Sequence, residues 1–402
     1  MQGARAGKRK RVLVCVASYL PGYKSGGPIR SITNVVAHLS DRFDFYVVTR
    51  DRDASDAERY PQVIADRWYE VGNARVFYCS SINPSLLRRV FREAEPNLVY
   101  LNSFQDAFTR VMVALRRLGV LGNMPILLAP RGEFAPAAME IKRTKKVLYR
   151  HAAGMLGFHE NLSWHVTSVR EKADVLTASP AKHLDPDSIY LAHNISEAIA
   201  LPVPHAAKKP GTVKLAFVAR MSEMKNLRFL VEILPRIRGR VELNLFGPVG
   251  ACDTRYWKGC VAQIEQLPEN IKVEYRGSID NSLVPQVLHD HHFLVLPTKG
   301  ENFCHAAVES FVNGTPAVLS DETPWTGLAK VQAGFDIPLE DREGWTAALQ
   351  ACTDMDQADY TVYVSGAREF GRRFSKEEAV KAHEIMFEAA MQRCPSTSYG
   401  VE

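Results

Sequence analysis

Two glutamates eight residues apart, Glu301 and Glu309, stand in the stretch LPTKGENFCHAAVESFVNGTPAVLS, directly after an apolar run that ends at Pro297. Carboxylates accept hydrogen bonds from hydroxyls. Eight residues along a helix mean a rise of about 12 Å and a rotation about 80° off full registry, so the pair would meet different parts of one elongated ligand. The spacing alone is common; its placement after a strand, beside Asn302 and Phe303, makes it specific. Upstream, Arg220 and Lys225 follow the run LAFVA and precede a helical segment. Two cations at the mouth of a parallel strand can grip a diphosphate through charge-assisted hydrogen bonds of about 1.5 to 3 kcal/mol each, doing the work of a metal. The plain alternative is solvated surface. Near the start, Gly26 and Gly27 lie between the run Val12 to Val16 and a helix opening near Ile29. A glycine pair there lets backbone approach a ligand, and the helix start favours an anion; an ordinary tight turn is the alternative.

These positions need a scaffold that brings strand ends together. Short apolar runs alternate with amphipathic segments from RVLVCVA to PILLAP, and the alternation begins afresh at VKLAFVA and continues to TPAVLS. That is the pattern of βα units around parallel sheets, and it predicts an α/β protein of two doubly wound lobes. The stretch Leu201 to Gly211, LPVPHAAKKPG, reads as a linker. The division expected is residues 1–204, residues 205–374, and a C-terminal helix with a frayed tail over 375–402. Ala379, Ile385, Met386 and Ala389 give that last helix an apolar side.

The composition of 402 residues bounds the function. Apolar residues make up 46% and charged residues 24%, as in ordinary globular chains. A net charge of +5 falls short of a dedicated nucleic-acid binder, so any anion preference must be local. Seven cysteines without a CxxC pair indicate neither a disulfide framework nor a zinc knuckle, and a cytosolic home is expected. The segment Lys8 to Leu20 resembles a leader but reads better as the first strand. Metal is not expected. The three Asp-x-Asp hits (Asp51 and Asp53, Asp185 and Asp187, Asp354 and Asp356) lie in unrelated contexts, and the histidines 289, 291 and 292 are too close in sequence to share one ion. In the segment Met139 to Leu156, Ile141, Leu148, Ala152 and Met155 fall on one helical face. Lys142, Arg143, Lys145, Lys146 and Arg150 supply the charge, suiting an anionic membrane or a lipid diphosphate, or else a solvated face.

The motifs YLPGYKSGGPIRS, APRGEF, WHVTS, ARMSEMKN, LNLFGP, VEYRGSI and GENFCHAAVESFVNGTPAV, with TPW after them, resemble the bacterial family-4 retaining glycosyltransferases of the GT-B fold. The likeness runs from about Val12 to about Glu388 and is nearest to members that build capsule, exopolysaccharide or O-antigen. It implies two Rossmann-like lobes facing a central cleft, a nucleotide-diphosphate sugar donor on the C-terminal lobe, and a glycan or lipid-linked acceptor on the N-terminal lobe. The enzyme would be cytoplasmic, with peripheral contact at the inner membrane face, and would need no metal cofactor. Carried over by position, the resemblance puts Arg220 and Lys225 on the diphosphate, Glu301 on the donor sugar and Glu309 on the ribose. Gly26 and Gly27 meet the phosphates, and Gly277, Ser278 and Ile279 line the base. Asn302, Phe303 and Cys304 complete the donor pocket, Cys304 standing where many members have glycine. Where many members end a mid-lobe strand in histidine, this chain has ILLAPRGEF. Arg131 then becomes a candidate for orienting acceptor or phosphate, with an ion pair to Glu133 as the alternative. A related nucleotide-sugar enzyme of epimerase type and a non-catalytic nucleotide-sugar binder are the competing readings.

Overall fold

A computed structural model of the chain describes residues 9–54, 56–140, 143–197 and 206–393. The chain divides into a first unit, Met1–Ile195 with Glu377–Glu402, and a second, Ser196–Lys376.

In the first unit the strands are β1 (Lys10–Cys15), β2 (Phe43–Arg50), β3 (Trp68–Val71), β4 (Ala74–Cys79), β5 (Leu98–Asn102), β6 (Ile126–Ala129), β7 (Ser163–Val166) and β8 (Ile189–Leu191). Their order is β3-β4-β2-β1-β5-β6-β7-β8, parallel except for the β3–β4 pair. The order reverses between β1 and β5, where Val12 pairs with Leu98. Helices on both faces explain why these strands read as continuous apolar runs: Val12 to Cys15 and the whole of β5 are buried. The helices are α1 (Gly27–Leu39), α2 (Pro84–Ala94), α3 (Ala107–Arg117), α4 (Pro136–Glu140), α5 (Arg143–Met155) and α6 (Val169–Ala178). The Asn83, Asp106 and Ser168 side chains cap α2, α3 and α6 by accepting amides of the first turn.

The second unit holds β9 (Thr212–Val218), β10 (Arg240–Phe246), β11 (Ile271–Gly277), β12 (Phe293–Leu296), β13 (Ala317–Ser320) and β14 (Gly334–Ile337), all parallel in the order β11-β10-β9-β12-β13-β14. Here the order reverses between β9 and β12. In open α/β sheets that switch point is where ligands bind, outside the carboxyl ends of the strands. Its helices are α7 (Leu227–Ile233), α8 (Thr254–Ile264), α9 (Val284–His289), α10 (His305–Asn313), α11 (Arg342–Asp354) and α12 (Gln357–Gly371).

The last helix, α13 (Lys376–Gln392), closes the core of the first unit. Phe387 meets the rings of Phe43, Phe45 and Tyr100 edge-on at 5.4 to 6.3 Å. Ala379 and Met386 are buried as expected, but Ile385 is 55% exposed. Phe387 and Ala390, which the reading of the apolar side passed over, take the inward places.

Of the stretch read as a linker, residues 201–205 lie outside the described residues, while 206–211 are tied to the second unit by the amides of Ala206 and Gly211, which donate to His289 O and Thr353 O. Lys208 is 4% exposed and donates to the carbonyls of Lys209, Thr353 and Met355, satisfying acceptors at the end of α11. Among the described residues no helix is long and apolar enough to cross a membrane.

Candidate functional site

In the second unit the loops after β9 and β12 flank the switch point, and they carry Arg220, Lys225 and Glu301. Residues Glu223–Lys225 form one 3₁₀ turn that ends at Asn226 in the left-handed region (φ 59°), from which α7 starts. The turn is tied to the second loop: the Lys299 amide donates to Met224 O at 2.8 Å, Thr298 Oγ1 to the same carbonyl at 3.1 Å, and Lys299 Nζ to Glu223 at 3.1 Å. The Lys225 ammonium bonds Glu301 Oε1 directly. Glu301 is held in turn by its amide, which donates to Glu322 O at 3.1 Å. The side chains of Lys225 and Glu301 keep 22% and 14% exposure, so the pair is sheltered and still within reach of a ligand. Arg220 is more open at 48%, with Asp253 at 3.7 Å as its ion-pair partner. The predicted cation pair is thus two cation–carboxylate pairs, and Asp253 is a member that no spacing rule in the sequence announced.

Glu309 sits in α10, 3% exposed. Between the two glutamates the chain turns at Cys304 in the left-handed region (φ 60°), one residue before the helix. Glycine adopts that backbone angle without the cost a Cβ brings, so Cys304 bears a conformation that favours glycine. Burial pushes the Cys304 thiol pKa well up, with the Glu301 charge adding to it, so it stays a neutral packing group. Phe303 is buried and its carbonyl accepts from Trp325 Nε1 at 2.6 Å, which fixes Asn302 and Phe303 against the core. At the edge, the Gly247 amide donates to Gly277 O at 2.8 Å and the Ala219 amide to Phe246 O at 2.9 Å, so the ends of β9, β10 and β11 form one backbone rim. Gly247 (φ 139°) was missed in the sequence although LNLFGP was noted; a Cβ there would stand 2.0 Å from Ala219 O. Ser278 lies exposed just past that rim, and Ile279 packs partly against the core.

In the first unit Gly26 (φ 60°) precedes α1, which begins at Gly27. The loop before it is pinned by the second member of the Asp51-Arg52-Asp53 motif. Asp53 Oδ2 accepts the amides of Tyr23 at 2.8 Å and Lys24 at 3.1 Å, and Lys24 Nζ pairs with Asp56 at 2.5 Å. Asp51, buried, takes Arg52 and Arg59 at 2.9 Å each. The motif therefore holds a loop and two arginines. Among the described residues no group of three His, Cys, Asp or Glu side chains gathers as metal ligands would. His291 turns to Val287 O and Asn244, and His292 to Ala207 O and the Lys214 amide.

Arg131 stands just past β6 with φ 56°. Its fork reaches Asn102, Asn194 and Tyr100, and the pairing with Glu133 weighed from the sequence is absent. Glu133 instead accepts from Ser103 Oγ at 2.6 Å and the Gln105 amide at 2.8 Å. Of the basic helix, Lys142 lies outside the described residues, as do the side chains of Arg143, Lys145 and Lys146. Arg150 is half-buried and lies 4.0 Å from Met139 Sδ. The face made of Leu148 and Met155 points outward, at 72% and 75% exposure. Ala153 and Tyr149 turn inward instead, Tyr149 meeting Phe104 at 5.5 Å and His159 at 6.3 Å.

Residues 212–354 match the family model "Glycosyl transferases group 1". That span runs from β9 to the end of α11 and contains both loops of the switch point. Residues 212–354 form a group 1 glycosyl transferase domain. No curated protein matches the chain. Among solved structures the chain is similar to sucrose-phosphate synthase from Thermosynechococcus elongatus, with 17% identity, a TM-score of 0.72, and coverage of 96% of this chain and 100% of that one. It is also similar to HepE of Anabaena in complex with UDP and glucose (14%, TM-score 0.67, 95% and 100%). A third likeness is to the apo form of the lipopolysaccharide outer core galactosyltransferase WaaB (14%, TM-score 0.61, 94% and 99%). At such identities the likeness fixes the architecture, which is GT-B. In the glycosyl transferase domain the Lys225–Glu301 pair, the Arg220–Asp253 pair and Glu309 thus sit on and beside the loops of a sheet built like those of sugar-transferring enzymes.

Proposed function

We propose that the chain is a retaining glycosyltransferase, of the family-4 kind, that moves a sugar from a nucleotide diphosphate to a glycan or lipid-linked acceptor of bacterial cell-surface polysaccharide. The observation that carries this reading is the Lys225–Glu301 pair at the switch point of a group 1 glycosyl transferase domain. An ammonium and a carboxylate in contact offer one group for a departing phosphate and one for sugar hydroxyls at adjoining places. Arg220 joins Lys225 on the diphosphate, Glu309 takes the ribose hydroxyls, and the backbone of Gly277 to Ile279 meets the base. In the first unit, Gly26 and Gly27 at the start of α1 take a phosphate group. HepE of Anabaena, similar in fold, has been solved with UDP-glucose, which supports a nucleotide-sugar donor.

In this mechanism the acceptor oxygen attacks the anomeric carbon on the face the leaving group departs from. The carbon–oxygen bond to the diphosphate breaks, the new glycosidic bond forms, and the acceptor proton passes to the leaving phosphate oxygen. The protein's share is orientation and stabilisation of the charge that develops on the diphosphate, two effects of large magnitude in a preorganised site. Arg220 and Lys225 supply that charge without a metal. We place the enzyme in the cytoplasm, peripheral to the membrane, with the helix that carries the outward Leu148 and Met155 and the basic residues of positions 142 to 150 at the lipid.

The test is a screen of UDP-, GDP-, ADP- and TDP-sugars for thermal stabilisation and slow hydrolysis. One of them should raise the melting temperature and release sugar. A chain that responds to none is no glycosyltransferase of this kind. For the membrane, sedimentation with vesicles of anionic phospholipid should fail when Lys142→Gln, Lys145→Gln and Lys146→Gln are combined; unchanged sedimentation would make that helix ordinary surface.

A further inference from the structure

Arg131 is half-buried at the carboxyl edge of the first unit's sheet, and every group its guanidinium touches is neutral. Nε donates to Asn102 Oδ1 at 3.1 Å, Nη1 to Asn194 Oδ1 at 2.9 Å, and Nη2 to Asn102 Oδ1 at 2.7 Å and Tyr100 Oη at 2.8 Å. The ring of Tyr100 lies 6.0 Å from the cationic carbon. Guanidinium has five N–H groups, so these four bonds leave one, on Nη1, for another acceptor. Among the described residues no carboxylate stands within ion-pair distance of Arg131. Its carboxylate neighbours along the chain and on α6 are turned elsewhere: Glu133 to Ser103 and Gln105, and Glu171 to the amides of Gly132 and Thr167 at 2.7 Å each.

The fork is locked from behind. Tyr100 Oη accepts from Arg131, so its single proton goes to His165 Nδ1 at 2.7 Å; His165 then carries its own proton on Nε2 and donates it to Ala192 O at 2.9 Å. Burial and the Arg131 charge both hold His165 well below the ordinary histidine pKa, in keeping with that neutral tautomer. His383 of α13 packs on the His165 ring at 5.1 Å and His193 turns to Thr167 O. The chain Arg131–Tyr100–His165–Ala192 thus has one consistent direction of donation and no slack.

A half-buried cation is costly without a compensating anion, and proteins ordinarily supply one. Here every hydrogen-bond acceptor on the fork is neutral, and Glu171, whose charge Arg131 feels, gives its oxygens to the Gly132 and Thr167 amides rather than to the guanidinium. We infer that Arg131 is an anion-recognition residue of the first unit, that its ligand is a phosphate oxyanion, and that Tyr100, Asn102, Asn194 and His165 position it. Guanidinium matches phosphate in geometry better than ammonium does. The inference rests on the glycosyltransferase reading and deepens it, because the oxyanion belongs either to the acceptor or to the nucleotide.

Titration calorimetry on the full chain with UDP and, separately, with farnesyl phosphate separates those sources. Arg131→Gln should weaken one probe about tenfold or more, since the contact is charge-assisted. Arg131→Lys should restore part of that loss, and Tyr100→Phe, which only loosens the fork, should cost about threefold. A loss confined to farnesyl phosphate makes the acceptor phosphate-bearing; a loss confined to UDP gives Arg131 to the nucleotide. Melting temperatures that fall while both affinities stay within about twofold in Arg131→Gln and Tyr100→Phe would mean a purely structural arginine and overturn the inference. Wild-type chain that binds farnesyl phosphate and none of UDP, GDP, ADP and TDP removes the donor reading and leaves Arg131 standing; binding of none of the five overturns both.

Discussion

The carboxyl edges of the two units handle charge in opposite ways. In the second unit each cation of the candidate site has a carboxylate partner, Lys225 with Glu301 and Arg220 with Asp253. In the first, Arg131 is surrounded by two asparagine oxygens and a phenol. A paired site is nearly neutral when empty, and incoming charge must reorganise it. An unpaired one keeps its full attraction but depends on its surroundings to hold it in place. The same fold therefore presents one edge suited to a large ligand with both hydroxyls and phosphates, and another suited to a single anionic group.

The sharpest way to break this contrast is to unpair the second unit. Glu301→Ala leaves the Lys225 ammonium without its partner, and Lys225→Ala removes the cation. Either should lower sugar transfer about 100- to 1,000-fold, the usual loss when a preorganised charge contact is removed. Lys225→Ala and Arg220→Ala should act on turnover more than on donor affinity. Steady-state kinetics of the variants decides it, and wild-type rates in all three would mean the site lies elsewhere.

Next in size is Gly247→Ala. Its Cβ would meet Ala219 O at 2.0 Å from a backbone at φ 139°, so the rim joining β9 to β11 must shift. A loss of about 1 to 3 kcal/mol is expected, seen as a lower midpoint in urea. No comparable close approach exists at Gly26 or Gly277, where a Cβ has open space and only the positive φ resists it.

Glu309→Ala should weaken nucleotide binding about tenfold with a smaller change in turnover, by calorimetry with the donor's nucleotide. It tests whether the buried carboxylate belongs to the ligand or to the core. The smallest effect expected is from Asp53→Ala, which frees the amides of Tyr23 and Lys24: about 1 kcal/mol in stability and a raised KM for the donor. An unchanged KM would separate that loop from the donor's phosphates.

Much of this was legible in the residues. The β-branched runs and their restarts after the middle of the chain announce two parallel sheets, because strands covered on both faces leave long apolar stretches. Arg220, Lys225 and Glu301 could be found from their places after such runs. Their pairing could not, since Lys225 and Glu301 are 76 residues apart. The network around Arg131 was hidden for the same reason, drawing on Tyr100 and Asn102 of β5, His165 of β7 and Asn194 after β8. Periodicity found the apolar strip of α5 but not its direction: Tyr149, a residue outside the strip, has the aromatic cluster to face. Spacing shows Asp53 as one half of an Asp-x-Asp pair and does not reveal that two backbone amides occupy its carboxylate.

The first unit is built from both ends of the chain, with α13 laying Phe387 on Phe43, Phe45 and Tyr100. On the ribosome, Ser196–Lys376 is complete before that helix emerges, so the unit made first is the one finished last. A fragment ending at Ile195 would show water the aromatic surface that α13 covers. Emergence of α13, rather than synthesis of the first half, is then the moment at which the edge bearing Arg131 takes its final form.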